Sequence, residues 1–106
     1  KKANLRLFSK GVQLKSIVSV HDVARFIIFC LKYKKVNQIF NVVSQNLTAF
    51  TIANMCKKFE KKTKLLLTND KIPNPGYSMC SKKIKKTGFK FKVFYKDFLK
   101  YYFSFN

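Results

Sequence analysis

The chain has 106 residues, enough for one domain with a modest core, and a composition of 47% hydrophobic and 16% aromatic residues excludes a disordered tail. No apolar run approaches the roughly 20 residues of a membrane span, and no charged segment leading into an apolar stretch marks a secretory signal. The formal charge of +19 would suit nucleic acid, anionic lipid or a phosphate-bearing substrate, and the way it is spread along the chain bears on all three.

Asn4–Phe8 and Lys15–Val20 read as short strands, with Ser9, Lys10 and Gly11 as the turn between them. A helix follows, opened by Asp22 and running to about Lys32, with Val23, Phe26, Ile27, Cys30 and Leu31 at the spacing of one buried stripe. Asp22 suits the amides and positive pole of its first turn; Lys32, Lys34 and Lys35 suit its last. Ile39–Val43 is β-rich and predicts a strand. Thr48 predicts the N-cap of a second helix that buries Ala49, Ile52, Ala53, Cys56 and Phe59, with Lys57, Lys58, Lys61 and Lys62 on its wet side. Lys64–Thr68 predicts a further strand, and the Pro-Asn-Pro-Gly run at 73–76 an irregular loop. Ser81 is placed to cap a short helix, Lys82–Thr87, that Gly88 ends. Tyr95–Phe103 predicts an aromatic last helix. The whole is an α/β chain, mixed α+β when taken alone, with short strands and about four helices.

Charge and cysteines then narrow the classes. Phe, Tyr, Met, Ile, Asn and Lys supply just over half of the residues, and Gly, Ala, Arg and Pro barely a tenth, the pattern of an AT-rich gene. Only Arg6 and Arg25 offer the fork that suits phosphate and guanine, so codon bias explains much of the charge. Lysines recur in every segment while the aromatics follow core periodicities, which disfavours the alternative of a stand-alone basic module binding nucleic acid. Cys30, Cys56 and Cys80 form no CxxC pair and have a single histidine, His21, so no metal site is expected. Cys30 and Cys56 fall on apolar helix faces and suit reduced thiols in a cytoplasmic protein.

Four stretches together carry a resemblance. Lys15-Ser-Ile-Val-Ser-Val-His-Asp-Val-Ala-Arg25 resembles the stretch Arg, Asp, aromatic, Ile or Val, His, Val, any, Asp, Val or Leu, Ala of the extended short-chain dehydrogenases that act on nucleotide sugars. Ile39-Phe-Asn-Val-Val-Ser44 is similar to that family's Tyr-Asn-Val-Gly-Ser strand. Leu47-Thr48 with Ile52-Ala53 resembles its Leu-Thr-x-x-Glu-Leu-Ala helix start, with Thr51 in place of the glutamate. Ser81-Lys-Lys-Ile-Lys-Lys-Thr-Gly-Phe89 is similar to an element near its C-terminus.

The resemblance implies the C-terminal substrate-binding portion of an NAD(P)-dependent nucleotide-sugar epimerase, dehydratase or reductase. Residues 1–106 would form that single portion, and the N-terminal dinucleotide-binding Rossmann domain is absent from this chain. The family's Gly-rich phosphate turn is missing, and Tyr33, Tyr77, Tyr95, Tyr101 and Tyr102 all lack the lysine four residues on that its catalytic pair requires. No catalytic and no cofactor-binding residue is therefore expected here, and the portion should be inactive alone. NAD or NADP would bind the full-length enzyme but not this piece. A degenerate remnant that only supports assembly is a third reading.

Lys15 matches the position where many members place an arginine on the substrate diphosphate, and an ammonium also holds phosphate. Asn74–Cys80 covers a loop where several members supply another arginine; here Asn74 stands without one, and Lys71 or Lys82 would substitute. Tyr77 would stack on the nucleotide base or pack on the helix below it. Asp22 is expected to open its helix rather than to react, and His21 to lie at the surface. Asn41 would bond neighbouring backbone or shape the sugar pocket. The implied partners are a nucleotide-sugar substrate and the missing N-terminal domain, with no membrane and no nucleic acid; an oligomer stays open.

Overall fold

A computed structural model describes residues 4–34 and 37–105. Its elements follow in the order β1 (Asn4–Leu7), a 3-10 turn (Phe8–Gly11), β2 (Leu14–Ile17), α1 (Val20–Lys32), β3 (Gln45–Thr48), α2 (Ala49–Phe59), β4 (Lys64–Leu67), α3 (Lys82–Lys86) and α4 (Tyr95–Phe103). The succession of element types is the expected one, although the third strand is Gln45–Thr48 and not Ile39–Val43. β1 pairs with β4 in parallel, from Asn4 opposite Lys64 to Leu7 opposite Leu67. β2 pairs with β3 antiparallel, from Leu14 opposite Thr48 to Ile17 opposite Gln45.

The turn after β1 sends the chain from one sheet into the other. Ser9, Lys10 and Gly11 all take positive φ, at 48°, 57° and 76°. The Ser9 and Lys10 amides compensate by donating to the Asp70 and Thr68 carbonyls at 2.8 and 2.9 Å. The turn is thus clamped by the chain leaving β4.

Two helix starts show what fixes their boundaries. Thr48 caps α2 as expected, its hydroxyl accepting the Thr51 amide at 3.1 Å. α1 starts earlier than expected. Ser19 is its N-cap, accepting the Asp22 amide at 3.0 Å, so Asp22 lies inside the first turn rather than at the helix opening. Ser81, by contrast, makes no side-chain cap bond to α3; its carbonyl takes the Lys85 amide at 3.1 Å. Gly88 does end α3, with φ at 88° and its amide on the Lys85 carbonyl at 3.1 Å.

Other expectations need correction. Ile39–Val43 is not a strand: β2 finds its partner in Gln45–Thr48, and no strand among the described residues runs alongside 39–43. On α1 the buried face is Asp22 and Phe26, with Phe29 and Cys30 beside them, while Ile27 and Leu31 are exposed. The inner stripe packs on Phe40, Ile84, Phe89 and Phe91, and its direction is set by those side chains. On α2 Ala53 is buried, Ile52 and Cys56 are half-buried, and Phe59 is exposed at its rim, stacked on Phe103 at 5.3 Å. Lys35 lies outside the described residues; Lys57, Lys58, Lys61 and Lys62 are all exposed, as the wet-side assignment expects.

The core is aromatic and local. Phe26 meets Phe40 and Phe89 edge-on, at 5.2 and 5.1 Å between ring centres, and Phe89 meets Phe91 at 5.2 Å. Each such pair adds about 0.5–1.5 kcal/mol beyond the area it buries. Ile84 of α3 is the most fully enclosed apolar side chain beneath them. No helix among the described residues is long and apolar enough to cross a membrane.

Candidate functional site

The β2–β3 ribbon and the loop from 74 to 79 form one polar surface. Proline at 73 and 75 removes two backbone donors from the loop, and side chains hold it instead. Asn74 Oδ1 accepts the Gly76 amide at 2.9 Å, a local turn that mimics a backbone one. The Gln13 side-chain amide donates to the Asn74 carbonyl at 3.1 Å, and the Leu14 amide donates to the Pro75 carbonyl at 2.9 Å. Gly76 then passes so close to β2 that an added Cβ would stand 2.3 Å from the Leu14 carbonyl oxygen. Its φ of 73° closes the position to other residues a second time.

Further along, Asn46 of β3 serves as a two-sided clip. Its Oδ1 accepts the Met79 amide at 3.0 Å and the Ser16 hydroxyl at 2.6 Å, and its Nδ2 donates to the Met79 carbonyl at 3.0 Å. The Ser16 hydroxyl also reaches the Tyr77 carbonyl at 3.4 Å. Gln13, Ser16 and Asn46 therefore fix the loop to the ribbon. Sequence reasoning missed all three, since a polar residue in or beside a short strand looks like any solvated position.

Three expected site residues come together here. Lys15 lies on β2 between Leu14 and Ser16, the two residues that receive the loop, and it is exposed. Tyr77 is 77% exposed, so it does not pack on a helix below it. Its ring is free for a planar ligand, while its backbone is anchored at Ser16. Asn74 is also exposed, but its side-chain oxygen is engaged within the loop, which makes it a shaping residue first. Lys71 and Lys82 are both exposed. The surface can offer an ammonium and an aromatic face to an anionic, ring-bearing ligand, and no paired nucleophile and base.

Asp22 stands apart from this surface and has a different task. It is 0% exposed, and its carboxylate accepts the amides of Val93 at 2.9 Å and Lys92 at 3.1 Å. Arg25 Nη1 donates to it at 2.7 Å and to the Lys90 carbonyl at 3.1 Å, with the guanidinium 5.0 Å over the Phe89 ring. Burial alone would raise the carboxyl's pKa; the Val93 and Lys92 amides and Arg25 outweigh it and hold the group below its ordinary value. Asp22 ties α1 to the 90–93 segment, and the helix opening it was expected to form is made by Ser19 instead. Ser19-x-x-Asp22 has the capping-box pattern that would have placed the true N-cap.

Remaining residues sort quickly. His21 is exposed, and Asn41 donates to the Cys80 carbonyl at 3.2 Å, a backbone tie rather than an open pocket group. Cys30, Cys56 and Cys80 are free, and no cluster of three metal-ligating side chains exists among the described residues. A hollow of about 450 Å³ lies elsewhere, lined by Phe29, Tyr33, Thr87 and Gly88, with no carboxylate, thiol or imidazole to react.

No protein-family model and no curated protein sequence matches the chain. Solved structures do. The chain superposes on a GDP-D-glycero-L-gluco-heptose synthase from Campylobacter jejuni, solved with NADPH, at a TM-score of 0.75 and 17% identity, covering 98% of this chain and 34% of that one. A GDP-mannoheptose C4 reductase from Campylobacter jejuni with NADP bound gives 0.75 and 17%, covering 98% and 35%. A protein named DdhaC gives 0.73 and 22%, covering 98% and 33%. The likeness is one of fold, and the chain spans about a third of the length of each of these structures. That is the fold and the partial coverage that the resemblance led one to expect.

Proposed function

We propose that the chain is the substrate-side portion of an NAD(P)-dependent enzyme acting on a nucleotide sugar, whether reductase, epimerase or dehydratase. The observation that carries this reading is the match of nearly the whole chain to one third of two heptose enzymes, one solved in the presence of NADPH and one with NADP bound. The surface of β2 and the 74–79 loop fits the part. Lys15 would hold the diphosphate, Tyr77 would stack on the base, and Asn74 would keep the loop in shape for both.

In this reading the chain binds and orients; it does not react. NAD(P), held by a separate dinucleotide-binding domain, would exchange hydride with the sugar, since the three glycines Gly11, Gly76 and Gly88 stand singly and form no phosphate-cradling turn. Of the two arginines, Arg25 is tied to the buried Asp22 at 2.7 Å, which leaves the nucleic-acid alternative the exposed Arg6 alone.

Titration calorimetry tests the reading on the protein expressed from its complete reading frame. A GDP-sugar should bind in the presence of NADP, and residues 1–106 alone should take up no NADP. A duplex or single-stranded oligonucleotide binding in place of the nucleotide sugar would overturn it.

A further inference from the structure

We propose that Asn46 is a positioning residue for the nucleotide end of the substrate, holding the 76–79 backbone so that the Tyr77 ring stands ready for the base. The proposal rests on the functional reading above. It divides recognition at that site into a ring-binding part that Asn46 controls and a phosphate-binding part that it does not.

The Tyr77 ring is 77% exposed, and among the described residues it joins no ring stack and no cation contact. Where the ring stands is therefore decided by the backbone on either side of it. That backbone is fixed at both ends. Before Tyr77, Gly76 makes a parallel bridge to Leu14 and lies within 2.3 Å of the Leu14 oxygen at the place an added Cβ would take. Two residues after Tyr77, both backbone groups of Met79 are taken by Asn46, the amide and the carbonyl at 3.0 Å each. The Tyr77 carbonyl accepts the longer reach of the Ser16 hydroxyl at 3.4 Å, and that hydroxyl donates to Asn46 at 2.6 Å. Ser16 and Asn46 are directly opposite in the β2–β3 pairing, so the clip is built on the ribbon that carries Lys15.

Asparagine suits this task because its amide carries an acceptor and a donor on one planar group. A carboxylate would keep the Met79 amide and the Ser16 hydroxyl and release the Met79 carbonyl. A leucine of similar size would release all three.

Exposure decides what these bonds do. Asn46 lies at the surface, where water replaces a lost partner, so the clip adds little to global stability. Its effect is to order the loop. Without it residues 77–79 regain backbone freedom, which a ligand stacking on Tyr77 must then remove on binding. That penalty falls only on a ligand that uses the ring. A phosphate held by Lys15 escapes it, because β2 is kept in place by its own pairing with β3.

Titration calorimetry on the protein expressed from its complete reading frame tests this with GDP, UDP and inorganic pyrophosphate as probes. The quantity read is the affinity for the better-bound nucleotide divided by that for pyrophosphate. Asn46→Leu should lower this ratio about tenfold, through the nucleotide alone, with pyrophosphate binding unchanged. Asn46→Asp keeps the two acceptor bonds and should restore most of the ratio, since its charge acts on both ligands alike. Ser16→Ala leaves Asn46 on Met79 and should lower the ratio by a smaller factor; it carries the same test if Asn46→Leu does not fold. Tyr77→Ala gives the value for a lost ring. If Tyr77→Ala lowers the ratio and neither Asn46→Leu nor Ser16→Ala does, the positioning role is wrong and the substrate reading stands. Equal losses of nucleotide and pyrophosphate in Asn46→Leu also overturn the proposal, leaving Asn46 a structural residue only. If Tyr77→Ala leaves the ratio unchanged, or the wild type binds neither nucleotide more tightly than pyrophosphate, the base does not lie on Tyr77 and the reading of the site falls together with the inference.

Discussion

Asp22 and Val93 stand 71 positions apart in sequence, and the Val93 amide donates directly to the Asp22 carboxylate at 2.9 Å. Together with the Lys92 amide and Arg25, this bond fastens the segment entering α4 to the first turn of α1. The aromatic core lies between those two elements, so the tie closes it.

Asp22→Ala leaves two backbone amides and a guanidinium without their acceptor. The loss should be about 3 kcal/mol, read from urea unfolding midpoints, and Asp22→Asn should cost less because one acceptor remains. The acid limb gives a second reading. Because the folded carboxyl titrates below its ordinary value of 3.8, its contribution is present above that pH and drains away as pH falls through the folded value. The stability gap between wild type and Asp22→Asn should therefore shrink below pH 3.8. A gap that stays constant would contradict the tie.

Tyr95 gives the opposite limb. Burial, then the Cys56 thiol 3.7 Å from its hydroxyl, push the phenol up from 10.0 to about 12. The folded chain thus holds this proton more tightly than the unfolded chain does. The resulting stability is full below pH 10 and is lost as pH climbs toward 12. Thermal midpoints across that window should fall more steeply for wild type than for Tyr95→Phe. Parallel curves would show that the phenol is not shielded.

Gly76→Ala tests the loop. The new methyl would stand 2.3 Å from the Leu14 oxygen at a φ of 73°, so the loop must lift from β2. The left-handed backbone alone costs about 1–2 kcal/mol. Nucleotide-sugar affinity should weaken together with stability, because Asn74 and Tyr77 move with Gly76. Unchanged affinity at lowered stability would remove the loop from the site.

How far the sequence speaks for itself depends on the range of the interaction. Thr48 was legible because a cap is decided within three residues, and Ser19 carried the same kind of local signal in Ser19-x-x-Asp22. The strand at 39–43 was not, since β composition does not say whether a partner lies alongside. α1 failed for a different reason. With both faces apolar, its periodicity cannot choose between Ile27 and Phe29, and only the positions of Ile84 and Phe89 decide. Asp22 on Val93, and Asn46 on Met79, are long-range bonds that no local pattern announces. Lys15 and Tyr77 came from resemblance, and the structure brings their segments together.

The central claim is that β2 and its loop hold a nucleotide sugar, and the kinetics of Lys15 test it most directly. An ammonium that grips the diphosphate without touching the reacting carbon contributes equally to substrate and transition state. Lys15→Ala, measured in the protein expressed from its complete reading frame, should raise KM with kcat little changed. One charge-assisted contact is worth roughly 1.5–3 kcal/mol, so kcat/KM should fall about ten- to a hundredfold. Lys15→Arg should keep or improve activity, since a forked donor suits a diphosphate. Lys58→Ala and Lys62→Ala, both exposed on and after α2, should change almost nothing. If Lys15→Ala behaves like those two, Lys15 is one more solvated charge and the site on β2 is wrong.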